Sequence, residues 1–148
     1  MSDIFPPQSD HPLFRYFEPE ERKQIEELGR LVTVAKGGYL IRESQQDTAL
    51  FTVERGRLEV LVPGEERLVA TVGPGDVLGE VSFIDASPRS VSVRAGEETE
   101  VISWDRERLV DHLKDDAQLL AKFSLALSEL LVERLRDSVR RQGVMRPM

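Results

Sequence analysis

Cysteine is absent from this chain of 148 residues, and histidine occurs only twice. Without thiols the protein can form no disulfide bridge, no thiolate zinc site and no iron–sulfur cluster. His11 and His112 are too few to build a histidine-based metal centre. We therefore expect a protein without a metal and without a permanently bound cofactor.

Long apolar runs and an excess of basic charge are missing as well. No stretch is long and apolar enough to span a bilayer, and the acidic start Met1-Ser2-Asp3 lacks the basic-then-apolar order of a signal peptide. The formal net charge of −7 disfavours a general nucleic-acid surface, because phosphate backbones are held mainly by clustered lysine and arginine. These absences predict a cytoplasmic protein that has neither a membrane nor a nucleic acid as its partner.

The composition that remains is typical of a globular domain. Apolar residues make up 40% of the chain and charged residues 32%, and a chain of this length can bury a sizeable core. We predict a polar N-terminal tail over residues 1–12, which includes Pro6-Pro7, and one domain over residues 13–148. No Ser/His/Asp arrangement or paired-carboxylate motif stands out, so the sequence gives no support for an enzyme.

Short apolar runs separated by glycine-containing turns occupy the middle of the chain. Alternation, as in Leu58, Val60 and Val62, is typical of strands that bury one face, and turns such as Gly37-Gly38 separate the runs. The predicted strands are 31–36, 39–42, 50–54, 58–62, 68–72, 90–95 and 101–104. Many short strands of this kind indicate a closed or double-sheet β architecture over residues 30–105.

Helical patterns flank this region on both sides. Pro19 stands where proline opens a helix, and Gly29 closes the short helix. Apolar residues at three- and four-residue spacing predict one long amphipathic helix over residues 116–141. They are Leu119, Leu120, Phe123, Leu127, Leu130, Leu131 and Leu135. The stripe is wider than one seam, which predicts a homodimer in which one face packs within the protein and the other meets a second copy.

The segment 73–93 carries groups suited to a phosphate. Gly79 ends a strand and lets the backbone turn closely. Residues 80–84 can then form one helical turn whose amides, those of Val81 and Ser82 among them, point at an anion. This segment therefore contains a candidate anion site.

Arg89 and Glu80 complete the candidate site. Pro88 sets Arg89 at the start of the next strand, where its planar fork can meet two phosphate oxygens at once. Glu80 would repel a phosphate, but it can accept a hydrogen bond from a sugar hydroxyl on the same ligand. A hydroxyl close to a singly charged phosphate describes a ribose cyclic phosphate. Taken alone, Arg89 and Glu80 could also form a simple ion pair without any ligand.

The residues Gly79-Glu80-Val81-Ser82-Phe83-Ile84 through Pro88-Arg89-Ser90 resemble the phosphate-binding cassette of cyclic-nucleotide-binding domains. This family includes bacterial catabolite activator proteins and the regulatory subunits of protein kinase A. The step from Glu80 to Arg89 is similar to the kinase type, and Ser90 is similar to the bacterial type. Two residues depart from the family pattern: Ser44 stands where a turn glycine is usual, and Leu78 where a phenylalanine is common.

The resemblance implies the fold and the roles of the site residues. We expect an eight-stranded β-roll, a jelly-roll-like double-stranded β-helix, with a short N-terminal helix and a long C-terminal helix. Gly79 and Glu80 would hold the ribose, whereas Arg89, Ser90 and the amides of Val81 and Ser82 would hold the phosphate. Arg134 would contact the base from the C-terminal helix, with a solvated arginine at a charged helix end as an equal alternative.

The resemblance also implies a function. We expect a sensor for cyclic AMP, with cyclic GMP as the other candidate, because cyclic-GMP-tuned relatives often carry threonine at the position of Ser90. Ligand binding would shift the C-terminal helix and signal to an unidentified downstream protein. A transcription factor is less favoured, since no helix-turn-helix fits beyond Arg141. The alternative left open is a degenerate member that binds no nucleotide and serves as a dimerisation or docking module through its leucine-rich helix.

Overall fold

The computed structural model describes residues 5–141, and within them the chain forms four α-helices and eight β-strands. The helices are α1 (Pro19–Leu28), α2 (Glu80–Asp85), α3 (Arg106–Lys114) and α4 (Ala117–Arg141). The strands are β1 (Arg30–Val34), β2 (Tyr39–Ile41), β3 (Leu50–Arg55), β4 (Leu58–Leu61), β5 (Leu68–Val72), β6 (Val77–Leu78), β7 (Val93–Ala95) and β8 (Thr99–Trp104). No helix in this part of the chain could cross a membrane.

The eight strands form two antiparallel sheets of four strands each. The strand order is β1-β8-β3-β6 in the first sheet and β2-β7-β4-β5 in the second. Because the chain passes repeatedly from one sheet to the other, the two sheets wind together as a β-roll. The predicted β-roll with a short N-terminal and a long C-terminal helix is therefore confirmed.

The core of the roll lies on the inward faces of both sheets. Val53 of β3 and Val101 of β8 are partners in register, and neither has any exposed surface. Leu58 and Ala95 form the equivalent buried pair in the second sheet. Leu78, at one of the two departures from the family pattern, belongs to the same apolar cluster. Burying a valine or leucine side chain of this kind stabilises the fold by roughly 1.5–3 kcal/mol, so the alternating apolar residues drive the closure of the roll.

The predicted helix over residues 116–141 is confirmed as α4, and the structure adds a short helix, α3, that the sequence analysis did not predict. The carboxylate of Asp105 accepts a hydrogen bond from the Arg108 amide at 3.2 Å, and the carboxylate of Asp116 accepts one from the Leu119 amide at 3.0 Å. An aspartate in this position caps a helix N-terminus. The cap at Asp105 starts α3 and the cap at Asp116 starts α4, so the leucine-rich helix is preceded by a separate short one.

Strand β7 corrects one prediction, because it begins only at Val93 and not at residue 90. The preceding loop is held by other contacts. The Arg89 amide donates to the Gln45 carbonyl at 2.9 Å, and the Ser92 hydroxyl accepts from the Glu43 amide at 2.9 Å. Arg89 therefore lies in a loop fixed by residues 43–45 rather than at the start of a strand.

The described residues divide into two compact units. The unit Lys23–His112 contains both sheets and α2. The other unit joins the chain up to Arg22 with the chain from Leu113 onward, and so includes α4. Each unit is held by contacts of its own.

Helix α4 binds the N-terminal segment through a partly buried ion pair and an aromatic contact. Lys122 is only 7% exposed, and its ammonium lies 2.7 Å from the Glu21 carboxylate. The rings of Phe17 and Phe123 stack with centroids 6.4 Å apart. The hydroxyl of Tyr16 donates to Glu129 of α4. These contacts make the two ends of the described chain one unit.

His11 contributes to the same N-terminal segment as a neutral ring. Its Nδ1 accepts a hydrogen bond from the Leu13 amide at 3.2 Å, and its ring packs 4.6 Å from that of Phe14. Burial, and then the charge of Arg22, lower the pKa of His11 to about 4. The imidazole therefore stays uncharged in the folded protein at neutral pH.

Ser44 occupies the turn where the family usually has glycine, and its backbone adopts the glycine conformation. Its φ of 72° lies in the left-handed region, which is strained for a residue with a Cβ. The Ser44 amide donates to the Arg89 carbonyl at 2.8 Å. The turn therefore keeps a strained backbone conformation, and in this conformation it is hydrogen-bonded to the Arg89 loop.

Replacing Ser44 by glycine should stabilise the fold. The substitution relieves the left-handed strain, partly offset by the greater freedom of glycine in the unfolded chain, for a net gain of about 0.5–1 kcal/mol. Urea denaturation measures this change. The control is Ser87→Gly, at a loop serine whose φ is not positive, which should bring no gain. A destabilised Ser44→Gly protein would show that the Ser44 side chain contributes more than its backbone strain costs.

Candidate ligand-binding site

Helix α2 is bounded at both ends by left-handed backbone. Gly79 precedes it with φ 83°, and Ala86 follows it with φ 59°. A Cβ on Gly79 would lie 2.6 Å from the Ala49 carbonyl oxygen and 2.7 Å from Nη1 of Arg89. Both distances are far too short, so the close approach of Arg89 to the start of α2 requires glycine at this position.

The first turn of α2 contains the amides expected to face an anion. The Phe83 amide donates to the Gly79 carbonyl at 3.0 Å, and the amides of Val81 and Ser82 lie in the turn ahead of that hydrogen bond. The side chains of Glu80 and Ser82 are buried, whereas Val81 is 50% exposed. The turn therefore places a buried carboxylate and two early helix amides next to each other.

Arg89 is buried, with only 4% of its surface exposed, and three acceptors hold its guanidinium. Nη2 donates to the Asp47 carboxylate at 2.9 Å and to the Ala49 carbonyl at 2.7 Å. Nη1 donates to the Gly79 carbonyl at 3.2 Å. The guanidinium carbon also lies over the ring of Phe51, 5.6 Å from its centroid. The positive charge is thus fixed in place at the start of α2.

One donor of this guanidinium has no acceptor in the protein. Nε of Arg89 is buried and makes no hydrogen bond to any residue that the structure describes. Leaving a buried donor unsatisfied costs roughly 1–3 kcal/mol. An oxyanion brought by a ligand would satisfy it, and an arginine edge is well suited to such an anion.

The predicted site residues are brought together only in part. Gly79 and Arg89 are in contact, and Glu80, Val81 and Ser82 form the adjoining helical turn. Ser90 follows Arg89 and is exposed. Arg134 belongs to the other compact unit, on α4, and its contact with a ligand stays a prediction.

Asp47 is the site residue that sequence reasoning missed. It forms the close ion pair with Arg89, while its other carboxylate oxygen accepts a hydrogen bond from the Ala49 amide at 3.1 Å. Asp47 precedes β3 in a polar loop with no pattern of its own. Only the pairing of that loop with the Arg89 loop brings the two charges together, so no local signal could have found it.

The chemistry of the site is that of anion binding. A buried arginine with an unused donor adjoins early helix amides, and a carboxylate beside them can accept from a hydroxyl. Among residues 5–141, no three histidine, aspartate or glutamate side chains group as metal ligands. Fold and site together define a β-roll whose segment 79–90 has the groups suited to an anionic ligand.

Comparison with known proteins identifies the family. The model of the cyclic nucleotide-binding domain matches residues 31–116, more than half of the chain. The chain therefore belongs to the cyclic nucleotide-binding domain family, a family of regulatory ligand-binding domains.

Individual relatives agree with this assignment. A cyclic AMP receptor protein of Thermus thermophilus is 30% identical over 86% of this chain, and a cAMP-dependent protein kinase regulatory subunit of Emericella nidulans is 32% identical over 65%. The crystal structure of a cyclic nucleotide-binding domain from Methylobacillus flagellatus covers 92% of this chain and 79% of its own, with a TM-score of 0.81 and 27% identity. The matched regions span 58% of the Thermus protein and 23% of the Emericella protein.

Replacing Asp47 by asparagine should destabilise the β-roll. Asparagine keeps an oxygen for the Ala49 amide but removes the only charge within the guanidinium's hydrogen-bond set. The loss should be about 2 kcal/mol, the worth of a hydrogen bond to a charged group. Urea denaturation of the purified chain measures it.

Asp85→Asn is the matched control for this change. Asp85 likewise accepts a hydrogen bond from an amide two residues on, that of Ser87 at 2.9 Å, but it is exposed and faces no buried cation. Its replacement should leave stability almost unchanged. Equal effects of the two substitutions would mean that the Asp47–Arg89 pair contributes nothing beyond the local turn.

Proposed function

We propose that this chain reversibly binds a cyclic purine nucleotide, cyclic AMP first, as the input of a regulatory device. The observation that carries the proposal is the buried guanidinium of Arg89, whose Nε lacks an acceptor in the described protein. It adjoins the first turn of α2 through the Gly79 carbonyl. A cyclic phosphate supplies the missing acceptor with a single negative charge, which one arginine and the amides of Val81 and Ser82 can balance.

Glu80 gives the proposed site its preference for a ribose. Its carboxylate is 7% exposed and begins the helical turn that faces the anion. A carboxylate so close to a phosphate is unfavourable unless a hydroxyl donates to it. The 2′-hydroxyl of a ribose cyclic phosphate provides that donor, with the Gly79 backbone next to it.

The base is proposed to rest on apolar residues of the roll. Val60, Val72 and Val91 pack against the core while remaining only partly buried, so each still offers apolar surface. The preference for cyclic AMP over cyclic GMP rests on the family resemblance of Ser90. A contribution from Arg134 rests on the same resemblance.

The output is proposed to leave through the C-terminal helix of a homodimer. Several apolar side chains of α4 are substantially exposed, namely Leu120, Leu125, Val132 and Leu135. Apolar patches of this kind are usually covered by a partner. A second copy of the chain is the partner that we propose, and the differential affinity of the nucleotide for two arrangements would drive the signal. The relatives whose names include cyclic AMP support the input rather than this output.

The first test is titration calorimetry of cyclic AMP with the Arg89→Ala protein. Truncating one partner of a buried charge pair costs about 2–5 kcal/mol, so the affinity should fall by at least about 30-fold. The control is Arg55→Ala, because Arg55 pairs with Glu100 at the surface and is 63% exposed on its side chain. Its affinity should match that of the unchanged chain.

Two results would contradict the proposal. Binding retained within a few-fold by folded Arg89→Ala protein would exclude this arginine as the phosphate anchor. If calorimetry detects no heat of binding for cyclic AMP or cyclic GMP with the unchanged chain, the alternative is favoured. In that alternative the chain is a degenerate member that docks through α4, and the exposed leucines of α4 fit that role.

The second test separates the ribose contact from the phosphate contact. Glu80→Ala should weaken cyclic AMP binding, because the 2′-hydroxyl loses its acceptor. The same substitution should leave 2′-deoxy cyclic AMP unaffected, since that ligand has no hydroxyl to lose. Calorimetry of both ligands with both proteins gives the comparison. Equal losses for the two ligands would assign Glu80 a structural role.

A further inference from the structure

An open cavity of about 440 Å³ lies at the surface of the β-roll and borders the candidate nucleotide site. It is lined by residues of β1, β3 and β8 from one sheet and of β2 from the other. No residue between 79 and 90 lines it, although three of its residues, Asp47, Ala49 and Phe51, contact the Arg89 guanidinium. Its volume lies in the range of small-molecule sites, roughly 300–1,000 Å³.

The cavity lies where the apolar core ends and polar residues replace it. Arg30, Ser103 and Phe51 are partners in register across β1, β8 and β3. Two residues further along the strands, the same face carries Val101 and Val53, which are fully buried. The inward face thus changes from valine to a hydroxyl and a guanidinium at the cavity, although Phe51 continues its apolar floor.

The polar groups of the cavity include donors that the protein does not use. Among the described residues, the side chains of Arg30 and Ser103 make no hydrogen bond or ion pair. The carboxylate of Asp47, which also lines the cavity, is occupied by Arg89 and the Ala49 amide. The cavity therefore offers a free positive charge and a free hydroxyl, and its one negative charge is already neutralised.

We propose that this cavity is a second ligand site, which binds a small organic acid with an apolar body. The acid group pairs with Arg30 and accepts a hydrogen bond from Ser103. The apolar body packs on Val32, Val34 and Phe51, which line the cavity together with Leu40. A few convergent polar groups around an apolar surface are what fixes a small ligand in place.

Because Arg30 and Ser103 lie outside the proposed nucleotide site, this site does not depend on the nucleotide function, although the two sites share residues. They adjoin through Asp47, Ala49 and Phe51, which line the cavity and also contact the Arg89 guanidinium. Ligands at the two sites can therefore alter each other's affinity.

The test uses 2-naphthoate as the probe and its neutral analogue 2-naphthamide as the comparison. Each is titrated into ¹⁵N-labelled protein, and amide shifts are followed by NMR. We expect 2-naphthoate to shift the amides of β1, β2 and residue 103, and to bind at least about tenfold more tightly than 2-naphthamide. In the presence of saturating cyclic AMP, 2-naphthoate should still produce the same amide shifts.

The Arg30→Gln protein isolates the charge at the mouth of the cavity. Arg30 is exposed, so the variant should fold, and its affinity for 2-naphthoate should fall about tenfold while that for 2-naphthamide is unchanged. Arg55→Gln, which removes an equal charge outside the cavity, should bind both probes like the unchanged chain. Three results would each overturn the proposal. They are 2-naphthoate shifts confined to residues 79–90 or to α4, displacement of 2-naphthoate by cyclic AMP, and equal affinity of the protein for the two probes. If cyclic AMP does not bind to the protein, the comparison of 2-naphthoate with 2-naphthamide still tests the proposed acid site.

Discussion

Burial of the Arg89 guanidinium is the constraint on which the rest of the site depends. A charged group can leave water only where fixed acceptors replace its hydration. Here the acceptors come from the Asp47 and Ala49 segment ahead of β3 and from Gly79 ahead of α2. Moving either segment would remove part of the acceptor set of a buried charge, so the arginine holds both segments in one arrangement.

The same constraint explains the unusual backbone conformations around the site. Gly79 must be left-handed and without a side chain, because Arg89 and the Ala49 carbonyl occupy the space of a Cβ. Ser44 accepts a left-handed φ, and its amide fixes the Arg89 carbonyl. Local strain at Ser44 is thus offset by the contacts that hold the arginine.

Asp47 has two opposing effects on the affinity of the Arg89 guanidinium for an anion. It orients the arginine before any ligand arrives, which lowers the ordering cost of binding. It also neutralises part of the charge that an incoming phosphate would otherwise feel. Nε has no acceptor among the described residues, so it is the donor that the proposed ligand would use. Because Asp47 also lines the cavity, that carboxylate is one of the residues through which a ligand in the cavity could affect the arginine.

By itself, the sequence determined whatever depends on neighbours along the chain. Alternating apolar residues and glycine turns predicted a closed or double-sheet β architecture, and leucine periodicity predicted α4. The resemblance of residues 79–90 to a phosphate-binding cassette implied the β-roll and the residues expected around an anion. Only the tertiary structure decided that Asp47 pairs with an arginine 42 residues later in the chain, that residues 89–92 stay out of strand β7, and that Arg30 and Ser103 face one cavity. Such partnerships depend on strand register and loop packing between distant segments, and no local pattern encodes which distant residue will supply the missing charge or donor.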